Sequence, residues 1–103
     1  MDLGLKDKVA FVAGASKGLG KAVAIELSKE GAKVAICARE HPELPKAVEE
    51  IRSLTGGEVI GVAADLSISE QARDFIRRGL EHFGTVDILV NNAGGPPDRK
   101  RYK

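Results

Sequence analysis

The chain has 103 residues, enough for one small domain and too few for two. Apolar residues make up 43% and charged residues 30%, an ordinary balance for a water-soluble globular protein, and no apolar run nears the roughly 20 residues of a membrane span. The net charge is +1, yet the last six residues, "DRKRYK", carry +3 and leave −2 on residues 1–97, a slightly acidic body that argues against a nucleic-acid surface.

The start, "MDLGLKDKV", has neither the basic flank nor the apolar centre of a secretory signal. The first apolar run, "KVAFVA" at 8–13, predicts a strand. A helix follows from about Gly18 to Glu30, with Leu19, Val23 and Leu27 at four-residue spacing and Gly31 at its stop. "KVAICA" at 33–38 predicts the second strand. The second helix, about 44–54, takes Pro45 in its first turn and shows Ala47, Val48, Ile51 and Leu54 on one face. "EVIGVAA" at 58–64 is the third strand. Ser67 and Glu70 then read as a capping box, ahead of Ala72, Phe75, Ile76, Gly79, Leu80 and Phe83 at helical spacing, with Gly84 ending the run. "VDILVN" at 86–91 is the fourth strand.

The four strands are nearly continuous in apolar character, which suits parallel strands buried on both faces. Strands alternating with helices imply an α/β fold with right-handed crossovers, β-α-β-α-β-α-β. The final segment, residues 96–103, lacks apolar periodicity and is expected to be a disordered tail behind a single unit spanning 1–95. A lone cysteine, Cys37, cannot form an internal disulfide, so a reducing cytoplasm is the expected compartment. Within its strand it reads as a small apolar side chain. His41 and His82 are isolated and show no metal-ligand spacing.

The segment "AGASKGLG", residues 13–20, carries the chemistry. In a parallel sheet, ligands sit beyond the carboxyl ends of the strands, and Gly14, Gly18 and Gly20 fall where the first strand passes into the first helix. Amides at a helix start lack internal partners, and the helix dipole adds partial positive charge there. A phosphate can accept those bonds where no side chain blocks it, with Ser16 adding a hydroxyl and Lys17 a charge. The alternative is a flexible turn with incidental glycines, which the strand before and the helix after disfavour. The spacing is G-x-x-x-G-x-G, which differs from G-x-G-x-x-G. It also fails as a P-loop, because Ala22 follows Gly20–Lys21 and offers no hydroxyl for Mg²⁺. Asp65 does not make a phospho-acceptor, since a receiver-type site needs an acidic pair after the first strand, and this strand ends Ala13–Gly14.

This loop resembles the Thr-Gly-x-x-x-Gly-x-Gly motif of the short-chain dehydrogenase/reductase family, with Ala13 in the threonine position. The fourth strand ends in "NNAG" (Asn91, Asn92, Ala93, Gly94), similar to the family's second fingerprint, and "ADL" (Ala64, Asp65, Leu66) is similar to the segment that contacts the adenine ring. Within the family the chain resembles NADP(H)-dependent 3-oxoacyl-reductase-like members. The resemblance covers residues 4–95 and implies a Rossmann-like three-layer fold of strand order 3-2-1-4, truncated relative to the full family fold. It further implies cofactor contacts at Gly14, Ser16, Lys17, Gly18, Leu19, Gly20, Ala64, Asp65, Leu66, Asn91, Ala93 and Gly94.

The choice of dinucleotide rests on the end of the second strand, "ICARE". An NAD(H) site places a carboxylate there for the ribose hydroxyls, and Ala38 stands at that position. Arg39 follows, and a guanidinium suits a 2′-phosphate through paired charge-assisted bonds. Lys17 points the same way, so NADP(H) is expected over NAD(H). Glu40 is the dissenting residue, able to repel a phosphate or to hold ribose.

The resemblance implies hydride transfer between nicotinamide and a carbonyl or alcohol carbon, served by a serine, an asparagine and a Tyr-x-x-x-Lys pair beyond the fourth strand. Here Tyr102 is the only tyrosine and Lys103 stands beside it. Adjacent residues cannot share a helix face as a four-residue spacing does. A cofactor-binding part without a catalytic half is therefore expected, with no catalytic residue among the 103. The abrupt change of character after Pro97 fits a truncated or frameshifted reading frame. Two other readings stay open: a module that holds or senses NADP(H) without chemistry, and a structural piece that binds no cofactor. The fourth strand would be left as an unpaired apolar edge, so self-association there is expected.

Overall fold

The computed structural model describes residues 4–15, 18–39 and 42–91. Its elements run β1 (Val9–Ala13), α1 (Gly18–Lys29), β2 (Lys33–Ala38), α2 (Glu43–Thr55), β3 (Val59–Ala63), α3 (Ser69–Phe83) and β4 (Ile88–Asn91). The four strands form one parallel sheet in the order β3-β2-β1-β4. Each strand-to-strand crossover contains one helix, as parallel pairing requires. The expected Rossmann-like order and three layers are present. The tail expected at 96–103 lies outside the described residues.

Position in the sheet explains the strand sequences. β1 lies between β2 and β4, and all five of its residues, VAFVA, are buried. One face of the sheet presents Val12, Val34 and Ile36 to Ala24 of α1 and to Leu44, Ala47 and Ile51 of α2. The other presents Val9, Phe11, Ala35, Cys37 and Val62 to Phe75 of α3. β3, at an outer edge, is buried only in part.

α1 departs from the expected face. Its buried residues are Gly20, Ala24 and Ser28, whereas Leu19 is 71% exposed. Small side chains at four-residue spacing let the helix backbone approach the sheet closely, so the contact needs no large apolar stripe. In α2, Leu44 joins Ala47 and Ile51 in the core, and Leu54 points to solvent instead. The capping box is not formed. Ile68, which has no polar side-chain atom, is the N-cap of α3, while the Ser67 hydroxyl donates to Asp65 Oδ1 at 2.6 Å. β4 begins two residues later than expected. Asp87 instead clamps the start of β1, its amide donating to Val9 O (2.8 Å) and its carboxylate accepting from Val9 N–H (2.9 Å).

α3 reaches the sheet through one close approach. A Cβ on Gly79 would lie 2.4 Å from the Phe11 ring, and the Phe75 ring packs on Phe11 with centroids 5.5 Å apart. Gly79→Ala is therefore expected to destabilise the fold by about 1–3 kcal/mol through overpacking. In urea titrations, the double variant Phe11→Leu/Gly79→Ala should lose less than the sum of the two single variants.

Candidate nucleotide-binding site

In an all-parallel sheet every carboxyl end lies on the same side, so the segments after β1, β2, β3 and β4 converge without any special loop. Register brings Ala13 level with Cys37 on one side and Asn91 on the other, and Ala38 level with Ala63. Gly14, Arg39, Ala64, Asp65 and Asn91 thus share one edge.

After β1 the chain turns over the end of β2. The amides of Gly14 (2.7 Å) and Ala15 (3.1 Å) both donate to Cys37 O. That arrangement holds the loop in place and also commits two of its donors. Further donors stand at the start of α1, where the amides of Gly18, Leu19 and Gly20 have no intrahelical acceptors. No acidic side chain stands in this first turn. Gly18 adopts φ +66° and has nothing within 4 Å of where a Cβ would stand. The backbone there takes a conformation L-residues adopt poorly, and the space beside it is open. Gly20 is buried.

The second group forms between β2 and β3. Ala64 N–H donates to Ala38 O at 3.2 Å, which carries the pairing one step past the strands. Asp65 follows and is held by its own turn: Oδ1 accepts from the Ser67 amide (3.0 Å) and hydroxyl (2.6 Å), while its own amide donates to Gln71 Oε1 (2.6 Å). The Arg39 guanidinium lies 4.0 Å from Asp65 Oδ2, with 74% of its side chain in solvent. The Ser67 hydroxyl and amide, and then the Arg39 charge, hold the Asp65 carboxyl below the usual aspartate range. Under this pair Cys37 is buried, with Sγ donating to Ala64 O at 3.6 Å. Burial pushes its thiol up to about 11, so at neutral pH it is a protonated packing group rather than a nucleophile.

Of the residues expected at the site, Gly14, Gly18, Leu19, Gly20, Arg39, Ala64, Asp65, Leu66 and Asn91 are described at or beside this edge. Ser16, Lys17, Glu40, Ala93 and Gly94 lie outside the described residues.

The sequence profile described as short chain dehydrogenase matches residues 8–103. The chain belongs to that family. A curated relative, 11-beta-hydroxysteroid dehydrogenase-like 2 of Arabidopsis thaliana, is 44% identical over 89 residues, covering 86% of this chain and 29% of the relative. Among solved structures, L-sorbose reductase from Gluconobacter frateurii, complexed with NADPH and L-sorbose, matches with a TM-score of 0.89 and 37% identity over 94% of this chain and 37% of that one. An alcohol dehydrogenase from Thermococcus sibiricus, complexed with 5-hydroxy-NADP, matches with a TM-score of 0.77 and 37% identity over 82% of this chain and 36% of that one. This short-chain dehydrogenase chain spans only about a third of the length of those relatives.

Sequence reasoning missed Ser67 and Gln71, which fix Asp65 in this family member. The Asp-x-Ser spacing was the available signal, since an aspartate commonly accepts from the amide two residues on. Because the folded carboxyl titrates below the unfolded one, its ionised form stabilises the fold above the ordinary aspartate range, and that contribution is lost as pH falls through the lowered value. Urea midpoints of the chain and of Asp65→Asn should therefore differ by a constant amount at neutral pH. The gap should close only in acid, and a gap that widened with acid would contradict this placement.

Proposed function

We propose that this chain is the NADP(H)-binding portion of a short-chain dehydrogenase, residues 1–95 forming the dinucleotide-binding unit. The observation that carries the reading is the start of α1: three amides that have no acceptor within the helix, beside open space at Gly18, on the same edge as an exposed Arg39. These residues fit a dinucleotide. The Gly18, Leu19 and Gly20 amides would hold the pyrophosphate, with Ser16 and Lys17 assigned beside them from the sequence. Arg39 would hold the 2′-phosphate, and Ala38 supplies no carboxylate to favour a bare ribose. Ala64, Asp65 and Leu66 would flank the adenine, and Asn91, Ala93 and Gly94 would line the nicotinamide side. The solved relatives complexed with NADPH or 5-hydroxy-NADP support this choice of cofactor.

When bound, NADP(H) supplies or accepts a hydride at a carbonyl or alcohol carbon. The 103 residues contain no Tyr-x-x-x-Lys pair to move the accompanying proton, so binding without turnover is the activity we assign to them. A structural piece that binds no cofactor is the second reading. It draws on the Gly14 and Ala15 amides, which Cys37 O already engages and which leave fewer donors for a phosphate.

Calorimetric titration of the purified chain with NADPH and, separately, NADH tests the assignment. NADPH should bind at least about tenfold more tightly than NADH, since each hydrogen bond to a charged group contributes about 1.5–3 kcal/mol. Arg39→Ala should remove that preference and leave NADH affinity unchanged. Absence of binding by either dinucleotide would overturn the assignment and favour the structural piece.

A further inference from the structure

We propose that Ser67 sets the cofactor preference of this site by holding Asp65 short of a full pair with Arg39. The inference rests on the nucleotide reading above and gives the site an internal competitor, the Asp65 carboxylate. Ala38 and Ala63 stand level in the sheet, and Ala64 N–H donates to Ala38 O at 3.2 Å. Arg39 and Asp65 therefore leave neighbouring strand ends side by side. The guanidinium Nη1 lies 4.0 Å from Asp65 Oδ2, an ion pair beyond hydrogen-bond reach. Among the described residues Arg39 enters no other ion pair.

The other carboxylate oxygen explains the gap. Asp65 Oδ1 accepts from the Ser67 amide (3.0 Å) and from the Ser67 hydroxyl (2.6 Å). The Asp65 backbone is fixed from the same side, its amide donating to Gln71 Oε1 (2.6 Å) and its carbonyl accepting from Ile68 N–H (3.0 Å). A guanidinium and a carboxylate pair most strongly as a fork of two parallel N–H···O bonds, which needs both oxygens. Ser67 occupies one of them. Arg39 meets only Oδ2, at a distance that leaves its N–H groups open to a second acceptor.

For a 2′-phosphate the two residues act in opposite senses. The Asp65 charge opposes it. A dianionic phosphate on the far side of the guanidinium stands about 8 Å from the carboxylate, and in water-like surroundings that repulsion lowers its affinity about fivefold. The Ser67 hydroxyl favours the phosphate, because it denies Asp65 the fork that would withdraw Arg39. NADH has no 2′-phosphate and feels neither effect. Both therefore appear in the ratio of NADPH to NADH affinity, while any contact of Asp65 with the adenine is common to the two and cancels. Ser67 is a positioning residue, acting on the phosphate only through Asp65 and Arg39.

Calorimetric titration of the 103-residue chain with NADPH and NADH, at about 0.01 M ionic strength where screening is weak, reads that ratio. Asp65→Asn keeps an oxygen for Ser67 and loses the charge, so the ratio should rise about fivefold. Ser67→Ala should lower it about twofold to fivefold, the range of an exposed ion pair. Ser67→Thr keeps the hydroxyl and should leave the ratio unchanged. In the Asp65→Asn background, Ser67→Ala should no longer move it. An unchanged or lowered ratio in Asp65→Asn overturns the proposal, whether or not Ser67→Ala folds. A Ser67→Ala effect that persists without the carboxylate also overturns it, since general loosening of the turn would act alike in both backgrounds. If the unaltered chain binds neither dinucleotide, or binds without preferring NADPH, the nucleotide reading falls and this one with it. The variant outcomes, read with NADPH still preferred by the unaltered chain, overturn this inference alone.

Discussion

The burial of β1 on both faces and along both edges is the constraint on which the rest of the molecule depends. Five residues with no charged or hydroxyl side chain cannot be solvated, so the chain must supply a neighbour on each side and a helix layer above and below. β2 and β4 supply the edges, α1 and α2 one layer, and α3 the other. The functional edge follows from this. Parallel pairing forces the carboxyl ends of all four strands to one side, and the first connection must leave β1 there before α1 can turn back across the sheet. The glycine-rich start of α1 stands at that edge, with Gly20 buried and open space beside Gly18.

The two helix layers solve the close-packing problem differently. On the α1 side the fully buried helix residues are small, and the bulk comes from Val12, Val34 and Ile36 of the sheet, with Ile25 and Leu27 of the helix half-buried beside them. On the α3 side a single glycine faces a single large ring, with Phe75 completing the contact. Small residues concentrated on α1 permit uniform closeness along its length. A lone glycine on α3 instead pins the helix at one point over β1. Leu89 of β4, in the row of Phe11, remains exposed.

The alternation of elements was legible from sequence because buried parallel strands are continuous apolar runs, and β2 matches its expected limits of 33–38. The turn into α1 was legible because glycines at a strand-to-helix junction have few purposes. Helix faces were harder to read. Periodicity marked Leu19, Val23 and Leu27 in α1; Leu27 is half-buried against the core, but Leu19 is exposed, and the fully buried residues are Gly20, Ala24 and Ser28, the last held against Thr55 of α2. The start of α3 misled for a related reason. Ser67 followed by Glu70 matches a capping pattern, but the Asp65 carboxylate lies two residues away and takes the Ser67 hydroxyl first. A local motif competes with every acceptor in reach, and the sequence alone does not rank them. The pairing of Arg39 with Asp65 was likewise illegible, because 26 positions separate two residues that neighbouring strand ends bring together.

β4 ties the nucleotide edge to the centre of the sheet. Among the described residues it is a short strand held by β1 and by the Asp87 clamp at its start. Its last residue, Asn91, stands level with Ala13 at the functional edge. Local opening is easiest at the ends of a short strand, and here one such end belongs to the candidate site. The order of the site at Asn91 therefore depends on the ladder that β4 makes with β1, whereas Arg39 and Asp65 stand at the ends of β2 and β3 and lean on each other and on Ser67.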